Sequence, residues 1–145
     1  VELKSDWSYK GKNFKQGAII YSSLDSIKKG QPTYQVFVEP EQTKIINSVQ
    51  FSENYIWVSW LDNVQSIAER FELDKSGQWQ SKKLPIKSKG KISLFGMQED
   101  SDSFFVEQEG FLDPSSLSFM VCKTFELVEL QKLPAKFDTK NLNII

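Results

Sequence analysis

Lys83-Leu84-Pro85 recurs 49 residues later as Lys132-Leu133-Pro134, and this internal repeat constrains the fold more than any other feature of the chain. Inside the two units, Trp60-Leu61-Asp62-Asn63 and Phe111-Leu112-Asp113-Pro114 fall at nearly the same offset. A fainter third copy ends at Val38-Glu39-Pro40. A repeat of this length is one supersecondary unit, which buries its apolar surface by stacking on its neighbours.

The units read as strands. No long run carries apolar residues at i, i+3, i+4 and i+7, so helix signals are nearly absent. Short β-rich runs closed by turn residues take their place: Tyr55–Leu61 before Asp62-Asn63, Ser66–Leu73 before Lys75-Ser76-Gly77, then Trp79–Lys83. The second unit repeats the plan with Lys91–Met97, a polar turn at Glu99–Asp102, a strand opening at Phe104–Val106, a turn at Asp113–Ser115, and strands over Leu117–Val121 and Phe125–Leu130. Four short strands in about 45–50 residues make one blade of a β-propeller. The unbroken apolar run Tyr55–Leu61 suits a sheet packed on both faces. Pro85 and Pro134, closing their units, suit outer edge strands, where a missing N–H costs least. The expected fold is therefore all-β, a partial β-propeller of about two complete four-stranded antiparallel blades plus part of a third.

The boundaries follow from the repeat. Residues 1–40 hold too few strands for a blade; Asp6–Tyr9, Ala18–Tyr21 and Tyr34–Val38 read as its last three strands, with the innermost one missing. Residues 41–86 and 87–135 are the complete blades, and 136–145 read as the start of a linker to something absent. The chain opens at Val1 without a methionine, which leaves the compartment open, and no stretch approaches the ~18 consecutive apolar residues of a membrane span.

Composition removes most catalytic chemistries. The 145 residues include no histidine, which excludes Ser-His-Asp and Cys-His triads, histidine metal sites and a histidine general base. There is no Gly-x-Ser-x-Gly elbow; Gly90–Gly96 has the wrong spacing and lies on a strand. The glycines are scattered among turns and form no phosphate cradle. Cys122, the only cysteine, reads as a buried or half-buried structural thiol. Asp100 and Asp102 could ligate calcium, but they read first as a solvated hairpin turn. Lys82, Lys83, Lys87, Lys89 and Lys91 could contact a polyanion, but they read first as a solvated loop between blades. Trp57, mid-strand in an apolar run, reads as core. With a net charge of −1, no field favours nucleic acid or an anionic membrane. The expectation is no catalytic, cofactor-binding or metal residue in these positions, and no cofactor.

A wider likeness adds a function. Asp102-Ser-Phe-Phe-Val106 running into Gly110-Phe-Leu-Asp-Pro114, then Leu117–Cys122, then Leu133-Pro-Ala-Lys-Phe-Asp138, resembles the propeller domain of the prolyl oligopeptidase family of serine peptidases. Leu61-Asp-Asn-Val64, and Asp6-Trp7 with Gly11-Lys12 and Gly17-Ala18, are similar to further segments of that family. The resemblance implies the C-terminal part of a seven-bladed propeller, from mid-blade five through blade seven. It also implies an absent α/β-hydrolase domain carrying a Ser-Asp-His triad, which cleaves short peptides after proline while the propeller limits access. None of the triad residues has a counterpart here. The implied partners are that hydrolase domain and the peptide substrates of the longer protein, with neither nucleic acid nor membrane.

Two other readings stay open: a stand-alone module binding a peptide or small ligand, and a repeat scaffold for protein contacts. Both require closed ends, and the missing inner strand before Asp6 argues against them. An interrupted propeller should instead bare unpaired backbone around Asp6–Tyr9 or Ala18–Tyr21. It should also bare an apolar face drawn from Phe104, Phe119, Val121 and Leu127, and so form homo-oligomers through exposed blade edges or faces.

Overall fold

The computed structural model describes residues 1–86, 89–110 and 112–135. Twelve strands and one short helix are found there: β1 (Trp7–Tyr9), β2 (Lys12–Phe14), β3 (Ile19–Tyr21), α1 (Leu24–Lys28), β4 (Gln35–Val38), β5 (Lys44–Phe51), β6 (Ile56–Asp62), β7 (Gln65–Leu73), β8 (Trp79–Lys83), β9 (Gly90–Phe95), β10 (Ser103–Gly110), β11 (Ser116–Val121) and β12 (Glu126–Lys132). They divide into two compact units, residues 1–46 and 47–145, with the division inside β5.

The first unit departs from the expected three-stranded remnant. β1 and β2 form a hairpin, because Lys10 and Gly11 both take positive φ (47° and 78°) and make the two-residue turn whose twist matches the flanking strands. Trp7 stacks on Tyr9 and Phe14 across that hairpin, and Tyr34 meets Trp7 and Tyr9 edge-on, which gives this unit an aromatic core of its own. β3 pairs with β4 on one side. On its other side Leu3 N–H donates to Ala18 O, and Ile20 N–H donates to Val1 O, so Ala18–Tyr21 does not present the bare edge expected of it, while β1 is paired with β2 on one side. The helix was invisible to periodicity because it is barely more than one turn long. Its end signals were present: Ser23 caps it by accepting from Ser26 N–H, and Gly30 follows with φ 69°.

The second unit follows the repeat. One four-stranded sheet has the order β5-β6-β7-β8, the other β9-β10-β11-β12, each a run of sequential neighbours. β8 and β12 are edges, and Pro85 and Pro134 lie just beyond them, where a proline removes no ladder bond. On β6 the four consecutive residues Trp57–Trp60 are all buried, as a strand covered on both faces requires. The same holds on β7 for Ala68–Phe71. A core cluster joins the two sheets through Trp57, Ala68 and Leu84 on one side and Ile92, Leu94, Phe104, Val106, Met120 and Cys122 on the other. Phe111, Lys87 and the expected linker 136–145 lie outside the described residues.

The turn between β7 and β8 makes a pH prediction. Asp74 accepts from Ser76 Oγ (2.6 Å), Ser76 N–H (2.8 Å), Gln78 N–H (3.0 Å) and Gln80 Nε2 (2.9 Å). These bonds, the Ser76 hydroxyl first, pull its carboxyl down to about 2. A carboxyl depressed in the folded state stabilises the hairpin fully above its unfolded value and loses that contribution as pH falls toward 2. NMR titration of the Asp74 carboxyl carbon should show a midpoint near 2; a midpoint near 4 would mean the turn is not formed in solution.

Candidate functional site

The polar chemistry of the second unit is concentrated where its two sheets meet. Arg70, on β7, is buried although it alternates with Ala68 and Glu72 in the sequence. Its guanidinium lies over the rings of Tyr55 (4.2 Å to the centroid) and Phe125 (4.8 Å). From there Nη1 donates to the Cys122 carbonyl at 2.8 Å, and Nη2 pairs with Glu72 at 3.2 Å. Asp102 enters from the second sheet, just before β10. Its Oδ1 accepts from Ser52 Oγ (2.9 Å) and Asn54 N–H (2.9 Å), and its Oδ2 from Asn54 Nδ2 (2.6 Å). Its backbone carbonyl accepts from Cys122 N–H at 3.1 Å.

Asp102 corrects the sequence reading. It is 7% exposed, a buried acceptor joining two sheets, whereas Asp100 is exposed as a solvated turn residue should be. The signal was out of reach locally, because its donors Ser52 and Asn54 lie one repeat upstream. Burial opposes its charge, but the Asn54 and Ser52 hydrogen bonds, with Lys123 nearby, outweigh it and hold the carboxyl below the ordinary aspartate value. Cys122 is fully buried, and burial first, then the Asp102 charge, pushes its thiol up to about 12. A thiol so raised stays neutral and is a poor nucleophile.

The remaining singled-out residues scatter. Trp57 is fully buried against Phe104, with ring centroids 4.6 Å apart. Lys82 and Lys83 are exposed on β8, Lys82 with its ammonium 4.2 Å from the Phe125 ring centroid, and Lys91 reaches Glu109 at 3.9 Å from β9. No three His, Cys, Asp or Glu among the described residues gather as metal ligands.

The bare apolar face is also placed differently. Phe104 is buried between the sheets and Leu127 packs against the same core. Phe104 and Phe105 are adjacent, so they take opposite faces, and the register of Phe104 with buried Met120 puts Phe104 inside. The outer face carries Phe95 and Phe105 (5.6 Å, stacked), Phe119 (5.3 Å from Phe105, edge-on) and Val128 opposite Phe119. Val121 shares that face, half-buried. Phe95 and Val128 are 44% and 48% exposed.

Comparison with known proteins fits this architecture. Residues 6–129 match the family model described as prolyl oligopeptidase, N-terminal beta-propeller domain. The chain is 34% identical to "uncharacterized peptidase y4nA" of Sinorhizobium fredii, over 97% of this chain and 20% of that protein. It is 25% identical to "uncharacterized peptidase RP174" of Rickettsia prowazekii, over 96% and 20%. The solved structure of a post-proline cleaving enzyme from Rickettsia typhi superposes with a TM-score of 0.75 at 21% identity, covering 97% of this chain and 20% of that one. Prolyl oligopeptidase B from Galerina marginata superposes with a TM-score of 0.65 at 19% identity, over 83% and 16%. The chain thus spans about a fifth of the length of the curated relatives it matches. With two stacked four-stranded sheets and a family match over most of its length, the chain belongs to the prolyl oligopeptidase family, as part of its N-terminal β-propeller domain.

Proposed function

We propose that these residues form a non-catalytic part of a prolyl-oligopeptidase-like serine peptidase, in which the propeller admits short peptides to a separate hydrolase domain that cleaves after proline. The observation that carries the reading is the family match over residues 6–129 in a chain without histidine, aligned to a fifth of longer peptidases. The propeller's part is exclusion: a rigid stack of sheets blocks folded chains by size and passes flexible ones. Incubated with a chromogenic prolyl peptide, this chain should give no turnover above blank, while the full-length Rickettsia typhi enzyme does. Turnover by this chain, abolished by replacing one of its own serines, would overturn the reading. The gating half is tested on a full-length relative: removing the propeller should let a folded protein compete with the short peptide, and unchanged selectivity would refute it.

A second proposal concerns partners. The face of the second sheet opposite Phe104, Val106 and Met120 carries the cross-strand pair Phe105–Phe119. The face of the first sheet with Trp57 and Arg70 is covered by a sheet, and we propose that this one takes a covering element too. In the longer protein that would be the next element of the domain; for this chain alone it would be a second copy. Burying a few hundred Å² of such surface is worth several kcal/mol at about 25 cal/mol per Å². Light scattering after size exclusion at micromolar concentration should report a homo-oligomer, and Phe105→Glu should return it to monomer. A monomeric wild-type chain with a cooperative melt would sink this proposal and favour the stand-alone module.

A further inference from the structure

Arg70 and Asp102, charged residues buried between the sheets, meet at the main chain of one residue, Cys122, through the Arg70 guanidinium and the Asp102 backbone carbonyl. Cys122 N–H donates to the Asp102 carbonyl and Cys122 C=O accepts from Arg70, so this residue is gripped at both ends. Asp102 is meanwhile held through its carboxylate by Ser52 and Asn54, on the turn between β5 and β6 of the first sheet. The chain of bonds therefore leaves the first sheet at Asn54, crosses to Asp102, passes through Cys122 and returns to the first sheet at Arg70. It closes a loop. Apolar packing alone would hold the sheets together, but it is tolerant of sliding, whereas buried polar partners are satisfied in one arrangement only.

One repeat on, Phe119 stands at the place of Arg70, so the second sheet offers no guanidinium there to a following neighbour. We propose that Asn54, Asp102, Cys122 and Arg70 form one cooperative latch that fixes the register of the two sheets and opens as a unit. Opening is triggered by loss of the Asp102 charge or of the Arg70 donor.

The latch is acid-labile, and its direction follows from the facing groups. Lys123 is the cation near Asp102, Arg70 acts on Cys122 beyond it, Glu53 rides on the donating turn, Glu72 is already paired with Arg70, and the Cys122 thiol stays neutral. The carboxyl titrates lower in the folded chain than in the unfolded one. The latch is therefore complete above the ordinary aspartate value near ~4 and weakens as pH falls through the lower folded value.

The test is hydrogen exchange, residue by residue, on this chain. Asn54 N–H is bonded to Asp102 and does not touch Arg70. In Arg70→Met, a single cooperative device predicts that protection at Asn54 falls by about tenfold, the scale of a coupled pair, while Val106 inside β10 keeps its protection. Asp102→Asn should produce the reciprocal loss at Cys122 N–H. Unchanged protection at Asn54 in Arg70→Met would mean two independent contacts, and the proposal fails. Should either variant not fold, the wild-type chain decides: protection of the Arg70 guanidinium protons should fall in step with the acid titration of the Asp102 carboxyl carbon. Guanidinium protection that ignores that titration overturns the latch as well.

Discussion

Trp57→Ala should cost about 3–5 kcal/mol, the range for emptying a buried aromatic site. Trp57 is fully buried and meets Phe104 edge-on at 4.6 Å, with Phe125 parallel to it at 6.4 Å. Both of those rings come from the second sheet or its turn, so the indole spans the seam, and alanine would leave a cavity bounded by two stiff sheets that cannot collapse into it. The indole N–H has no hydrogen-bond partner among the described residues. The loss is thus one of packing, not of a bond. Trp57→Phe, which keeps a ring and removes the unpaired donor, should therefore cost much less, below about 2 kcal/mol. Urea denaturation followed by circular dichroism measures both. A Trp57→Ala loss under 1 kcal/mol would mean that the sheets do not pack on each other through this residue. A second transition in the mutant would say that the sheets then unfold separately.

What the sequence showed of this architecture is what repeats or alternates over a short window. The Lys-Leu-Pro copies mark the edge strands β8 and β12, and the unbroken run Tyr55–Leu61 marks a strand covered on both sides. Short-range turn chemistry was present but harder to use: Lys10-Gly11 forms a hairpin although only one of its residues favours positive φ. The seam itself was not legible. Arg70, between Ala68 and Glu72, has the pattern of a strand's wet face, and it is dry because Tyr55 and Phe125 close over the guanidinium. Glu99–Asp102 looks like any solvated turn, and Asp102 is buried because Ser52 and Asn54 supply donors from a different blade. Two adjacent phenylalanines, Phe104 and Phe105, take opposite faces under any strand assignment. Only pairing across strands, with Val106 and Met120 on the covered side, tells which one is inside.

Gly90→Ala should destabilise the second sheet by about 3 kcal/mol, because it overpacks backbone against backbone. Gly90 opens β9 and pairs with Gly110, the last residue of β10. A Cβ there would press on the Glu109 carbonyl oxygen and lie 2.8 Å from Gly110 Cα. Those atoms belong to the ladder, so none can rotate aside as the end of a side chain would. Either β9 moves off β10 or the pairing ends one residue early, which strips the Lys91–Glu109 contact with it. Gly90 does not take positive φ, so the requirement is for space alone. Gly77 gives the contrast: nothing lies within 4 Å of its Cβ position, but φ is +80°. Gly77→Ala should cost about 1–2 kcal/mol through backbone handedness. Hydrogen exchange separates the two causes. Gly90→Ala should expose the amides at the start of β9 and leave the β7–β8 hairpin protected, and Gly77→Ala should do the reverse. If Gly90→Ala stays within about 0.5 kcal/mol of wild type, the two glycines are not in contact, and β9 does not begin at Gly90.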